Sequence, residues 1–171
     1  ETAEVRAEKI WTEAYNNLNG QQPEKIVGLN IGASWPTKRW PKEAYAKLAD
    51  ILLEKGYGVA FFGGPMDMEI VEETLNLMKY DKKHPLLRIF TGKMSLMELA
   101  SLLKKCDVLV TNDSGPMHIA VAMQVPIVSM FGPSPVPGFY PYNDTSVVIK
   151  TSRFCHPCGK HQCPTQHECM W

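Results

Sequence analysis

Short apolar runs recur along this chain, each followed by a polar loop and then by a stretch whose apolar residues fall at helical spacing. The runs are IVGLNI (26–31), GVAFFG (58–63), LLRIF (86–90), DVLVT (107–111), PIVSMFG (126–132) and SVVIK (146–150). They are too short for helices and mostly too continuously apolar for strands with one wet face, so they read as strands buried on both sides. Between them, Pro41 opens a helix closed by Gly56, with Ala44, Tyr45, Leu48, Ala49, Ile51 and Leu52 apolar. MDMEIVEETLNLM (66–78) gives a second helix. Ser95 and Glu98 form a capping-box pattern that starts a third, with Leu96, Leu99, Leu102 and Leu103 on its buried side, and a fourth begins at Pro116. Alternation of this kind predicts an α/β fold, a doubly wound parallel sheet covered on both faces.

The 171 residues suffice for one core. Lysine plus arginine and aspartate plus glutamate number 18 each, so no net field points to nucleic acid or to an anionic membrane surface. No apolar run approaches the roughly 18 residues of a membrane span. The chain begins with Glu1 rather than Met and reads as a segment of a longer parent. Residues 1–18 place Ala7, Ile10, Trp11, Ala14, Tyr15 and Leu18 on one side of an amphipathic helix. Beyond Lys150 the periodicity stops, leaving a tail expected to be held by something other than a core. The expected divisions are a helix over 1–20, the α/β unit over 21–150 and a cysteine-rich tail over 151–171. Cys106 stands apart, while Cys155, Cys158, Cys163 and Cys169 crowd into the tail; an odd, clustered set suits a reducing, cytoplasmic compartment.

In open parallel sheets, ligands bind beyond the carboxyl ends of the strands. NIGASWPTKRWP (30–41) sets Gly32, Ser34, Lys38 and Arg39 in one such loop, which suits a diphosphate and otherwise is a solvated loop. It lacks the spacing of a P-loop. In FFGGPMDME (61–69), Gly63 and Gly64 permit close backbone approach; Asp67 either binds ribose hydroxyls or complements a helix dipole. In TNDSGPMHIA (111–120), Asp113 or Ser114 caps a helix, Gly115 lets a ligand near, Pro116 suits the first helical position, and His118 follows one turn in. A lone histidine there is otherwise structural. The proline- and aromatic-rich stretch 131–143 is a stiff rim loop or a plain connector.

Taken in order, GASWPTKRWP, GGPMDME, the long block from TGKMSLMELA to MFGPSP, and the tail CHPCGKHQCPTQHECM resemble glycosyltransferase family 9, the lipopolysaccharide heptosyltransferases. The tail looks like the ending of the second-heptose type. The resemblance covers roughly 26–170 and implies the carboxyl-terminal, donor-binding half of a GT-B fold built from two Rossmann-like domains. It implies that Lys38 and Ser34 hold the diphosphate of ADP-heptose, Asp67 the ribose and Met94 the adenine side. Asp113, Ser114, Gly115 and His118 would then gather at the phosphates and the sugar. It further implies transfer of L-glycero-D-manno-heptose to the lipopolysaccharide inner core with inversion. No cofactor is then needed for catalysis, because Lys38 and a helix amino terminus stabilise the departing ADP. The acceptor-binding half, with its general base, would lie outside this sequence. The helix at 1–20 resembles the linker between halves, so exposed Trp11 or Tyr15 would mark a severed interface, and donor binding without transfer is expected. Location at the inner membrane would be peripheral.

The cysteine tail stays open: Cys155, Cys158, Cys163 and Cys169 can hold a structural zinc, with His156, His161 and His167 as competing ligands, form one or two disulfides, or remain thiols. Rivals to the resemblance are another GT-B sugar-nucleotide enzyme, an epimerase with similar loops, and a non-catalytic, cysteine-rich metal-binding or interaction module. A dinucleotide dehydrogenase is disfavoured, since no G-x-G-x-x-G follows a strand.

Overall fold

The structure is a computed structural model that describes residues 2–16, 23–92 and 94–171. Helix α1 (Ala3–Tyr15) is followed by strand β1 (Ile26–Asn30), α2 (Lys42–Glu54), β2 (Gly58–Phe62), α3 (Met68–Leu77) and β3 (Leu87–Ile89). Then come α4 (Leu96–Leu103), β4 (Val108–Asn112), α5 (Gly115–Ala122), β5 (Ile127–Phe131) and β6 (Val147–Lys150). The six strands are all parallel, in the order β3-β2-β1-β4-β5-β6, with Asn30 beside Thr111 across the central pair. The chain winds outward from β1 on one side and from β4 on the other. A crevice therefore opens beyond the carboxyl ends of β1 and β4, where the winding reverses.

Alternating strand residues feed two cores. Ala60, Phe62, Leu109, Ile127 and Phe131 face one side, under α1, α4 and α5. Leu29, Val59, Phe61, Val110 and Met130 face the other, under α2 and α3. The period of two, with both sets apolar, is why the strands read as unbroken hydrophobic runs. The expected capping box holds: Ser95 N–H donates to Glu98 Oε2 at 2.7 Å and Glu98 N–H to Ser95 Oγ at 3.3 Å. Glu98 is buried and also pairs with Arg6 at 2.9 Å, tying α4 to α1; the Ser95 backbone N–H, more than any other contact, holds its carboxyl below the usual range.

Three expectations about burial are corrected, and one lies outside the described residues. Tyr15 is buried in the core, while Trp11 is partly buried and stacks on Phe90 at 5.9 Å between centroids, so neither marks a bare interface. Leu18, the expected end of the first helix, lies outside the described residues. Leu96 is 72% exposed; as the first helical residue its side chain leans off the amino-terminal end of α4, away from the sheet. Finally, the tail does reach a core: Met170 is buried in the second one, seated against Gly132, where a Cβ would come within 2.4 Å of its sulfur.

Cys106 lies in the first core, and burial, followed by the neighbouring Asp107 charge, pushes its thiol from 9.0 up to about 12. Between those values the unfolded chain has lost its proton and the folded chain keeps it, so stability falls as pH rises, by about 1.4 kcal/mol per unit. Buried Tyr15 and Tyr45, raised mainly by desolvation, act in the same direction above pH 10.0. Urea midpoints taken on either side of that window are expected to decline, and less steeply in Cys106→Ala. An identical decline in the variant would remove Cys106 as the source.

Candidate functional site

Beyond β1, β2 and β4 lies a cavity of about 610 Å³. Two buried asparagines end the central strands, Asn30 in the cavity lining and Asn112 beside it in the sheet. Asn30 donates through Nδ2 to Thr111 Oγ1 at 2.9 Å and to Ser114 Oγ at 3.0 Å. Asn112 donates to the Ile31 carbonyl at 2.7 Å and accepts from Trp40 N–H at 2.8 Å, with the Tyr45 hydroxyl 3.3 Å from the same oxygen. Tyr45 also donates to the Asn30 carbonyl at 3.0 Å. These bonds pin both ends of the loop 31–40 to the sheet. Sequence reasoning missed them, because an asparagine at the end of a strand reads as a turn residue. The one available signal was its repetition at the ends of both β1 and β4.

Arg39 does not project freely as a second cation: its Nε and Nη2 both donate to the Ala33 carbonyl, at 3.1 and 2.9 Å, folding the loop onto itself. Lys38 ends a 3₁₀ turn (Pro36–Lys38). Its ammonium lies 2.7 Å from Asp113 Oδ2 and 4.3 Å from the centre of the Trp35 ring. Both side chains of the ion pair are nearly buried, at 12% and 5% exposure. Asp113 is therefore committed to Lys38 rather than to capping α5. Ser114 occupies the cap position of α5 without a side-chain cap bond; its hydroxyl meets Asn30 and Thr111 instead. Pro116 has no N–H to leave unpaired and the Met117 N–H donates to the Ser114 carbonyl at 3.2 Å, so the start of α5 presents Gly115 at the cavity, where the helix end is electropositive.

Asp67 sits on the opposite wall. Its carboxylate accepts from Gly64 N–H at 2.9 Å and lies so close to Gly32 that a Cβ there would stand 2.2 Å from Oδ1. Gly32→Ala therefore has to push Asp67 off its seat. Because the carboxylate is the end of a flexible, partly exposed side chain, the expected cost is about 0.5–1.5 kcal/mol by urea unfolding, the loss of its bond to Gly64 N–H; no loss at all would mean the carboxylate swings aside freely.

Of the residues singled out in the sequence, Ser34, Asp67, Met94, Ser114 and Gly115 line this cavity together. Lys38 and Asp113 are not part of its lining and stand as the ion pair described above. His118 is exposed one turn into α5, and is likewise not part of the lining. Gly32, Arg39, Gly63, Gly64, Pro116 and Leu99, also named in the sequence, line it too, and Asn30 joins them. A separate cavity of about 840 Å³ in the tail is lined by Cys155, Cys158, Cys163 and Cys169, all of them free thiols. Among the described residues, no three His, Cys, Asp or Glu side chains are close enough together to hold a metal ion.

Comparison with known proteins identifies the family. The model of "Glycosyltransferase family 9 (heptosyltransferase)" matches residues 3–168. Lipooligosaccharide heptosyltransferase 2 of Haemophilus influenzae is 37% identical over 134 residues, which is 78% of this chain and 38% of that protein. The structure of ADP-heptose lipopolysaccharide heptosyltransferase II of E. coli superposes with a TM-score of 0.73 at 33% identity, over 82% of this chain and 42% of that one. A glycosyl transferase of family 9 from Veillonella parvula gives 0.75 at 36% identity, over 87% and 41%. The chain thus spans about two fifths of the length of these relatives. Among the described residues, no helix is long and apolar enough to cross a membrane. With the family model matching almost from end to end, and a six-stranded parallel sheet that superposes on those of its members, the chain belongs to glycosyltransferase family 9, the heptosyltransferases.

Proposed function

We propose that these residues form the donor-binding half of a GT-B heptosyltransferase, taking ADP-L-glycero-D-manno-heptose for transfer to the inner core of lipopolysaccharide with inversion. The observation that carries the reading is the meeting of Ser34, Asp67, Met94, Ser114 and Gly115 around one cavity, with the Lys38–Asp113 pair next to it. The E. coli relative is named for ADP-heptose, which supports the choice of nucleotide. In this reading Asp67 accepts from the ribose hydroxyls and Met94 lies beside the adenine. The α5 amides at Gly115, together with Ser34 and Lys38, hold the diphosphate, and His118 turns toward the sugar. Lys38 and the helix end offset the charge that grows on departing ADP, so the chemistry needs no metal. The general base and the acceptor site lie outside these residues, and this chain alone binds donor without transferring heptose. The enzyme works in the cytoplasm, peripheral to the inner membrane.

An amide NMR titration with ADP beside UDP tests this. Shifts confined to Lys38, Asp67, Met94 and Ser114 through His118, with ADP only, are the expected result. Equal response to UDP would favour another sugar-nucleotide enzyme of the same architecture, and heptose transfer by this chain alone would end the assignment of the base elsewhere. A structural zinc in the tail, one alternative beside disulfides or free thiols, would require the four thiols that line one cavity to draw together, since among the described residues no three such ligands stand close enough. Elemental analysis of protein purified without added metal, at under about 0.1 zinc per chain, would remove it.

A further inference from the structure

The tail does more than fill the edge of the sheet: it grips the turn that carries Lys38. His167 Nε2 donates to the Thr37 carbonyl at 2.5 Å, and the Thr37 hydroxyl, buried, donates to the Lys160 carbonyl at 2.8 Å. The Thr37 carbonyl belongs to the peptide that leads into Lys38, so the first bond fixes the plane from which that residue departs. The His161 ring lies 3.7 Å, centre to centre, from Trp35, the same ring over which the Lys38 ammonium sits. Backbone and side chain of Lys38 are thus both located through tail residues.

The grip has its own anchors. Met170 is buried, Gly159 N–H donates to the Pro133 carbonyl at 2.8 Å, and His156 Nδ1 meets the Gly132 carbonyl. His167 itself adopts a left-handed backbone, φ 56°, where the chain turns into the last 3₁₀ turn (Glu168–Met170). On the other wall, among the described residues, Asp67 is held by Gly64 and Met94 packs on the first core rather than on the tail.

We propose that the tail is a strap that positions Lys38 against the diphosphate of the donor, with His167 and Thr37 as positioning residues rather than catalytic ones. This rests on the donor-site reading above. It predicts an effect selective for phosphate, since the strap reaches the Lys38 turn and leaves the nucleoside wall alone.

The test measures calorimetric affinity of the whole chain for ADP and for adenosine, which lacks phosphates. His167→Ala is expected to weaken ADP about tenfold while adenosine is unchanged, the loss of one well-aligned contact at a charged site. His167→Gln, whose amide can donate to the same carbonyl, restores ADP binding. Thr37→Val, which keeps its carbonyl and loses only its donor, weakens ADP less than His167→Ala; it serves as the second probe should His167→Ala fail to fold. Unchanged ADP affinity in the folded variants, or equal weakening of ADP and adenosine, overturns the strap while leaving the donor site standing. Absence of ADP binding by the unmodified chain overturns the donor reading, and the strap with it.

Discussion

Lys38→Ala is expected to weaken ADP binding by about a hundredfold, the largest effect of any single change in the site. A charge-assisted contact to phosphate contributes about 1.5–3 kcal/mol, or roughly 10- to 150-fold. The upper part of that range applies because the loss is double: the ammonium goes, and the Asp113 carboxylate, 5% exposed and 2.7 Å from it, is left uncompensated where the phosphates arrive. The same stranded charge should lower stability by about 3 kcal/mol. Lys38→Ala combined with Asp113→Asn separates the two effects. Stability should return in the double variant, whereas ADP affinity recovers only the repulsive part and stays well below that of the unmodified chain. Calorimetry and urea unfolding on the three variants decide it; full affinity in Lys38→Ala would show that the ammonium does not meet the phosphates.

Asn112→Ala should be the most damaging change to the fold's working end. The side chain is fully buried and accepts from Trp40 N–H while donating to the Ile31 carbonyl. Alanine leaves both backbone groups without their partner, at about 1–3 kcal/mol each, and opens a small void. A loss of about 4 kcal/mol is expected, which for a domain of this size lowers the melting temperature by roughly 8–16 °C. Asn112→Asp should fare little better, since an ionised carboxylate cannot donate to Ile31 and is buried without a countercharge. A drop below about 1 kcal/mol in Asn112→Ala would mean that water replaces the amide and that the loop is not pinned from the sheet.

The fold was legible because strands buried on both faces leave continuous apolar runs, and the capping box of Ser95 and Glu98 marked one helix start within a residue. The mouth of the sheet was legible too, since loop chemistry accumulates where strands end. Individual burial was less so. Leu96 carries the apolar signal of its helix yet faces outward, because periodicity does not say where the first turn loses contact with the sheet. Trp11 and Tyr15 read as a surface awaiting a partner; their partners, Phe90 and Arg88, are long-range neighbours invisible to local spacing. Asp113 read as a cap and is instead the counterion of Lys38, 75 residues earlier in the chain, a pairing only the crossover between β1 and β4 creates. The tail lacked periodicity, so the burial of Met170 and the hold of His167 on Thr37 had no sequence signature.

The ion pair at Lys38 bears on how quickly a nucleotide arrives. The Lys38 ammonium is answered by Asp113, the Arg39 guanidinium is turned onto the Ala33 carbonyl, and the chain as a whole has a formal net charge of zero. An anion approaching through solvent meets little long-range attraction, because the Lys38 charge is already paired within the protein and the chain carries no net charge. Capture should proceed at an ordinary, unsteered rate and vary little with ionic strength. The attraction acts only on contact, when the diphosphate takes its share of an ammonium that the protein has kept neutralised and in place.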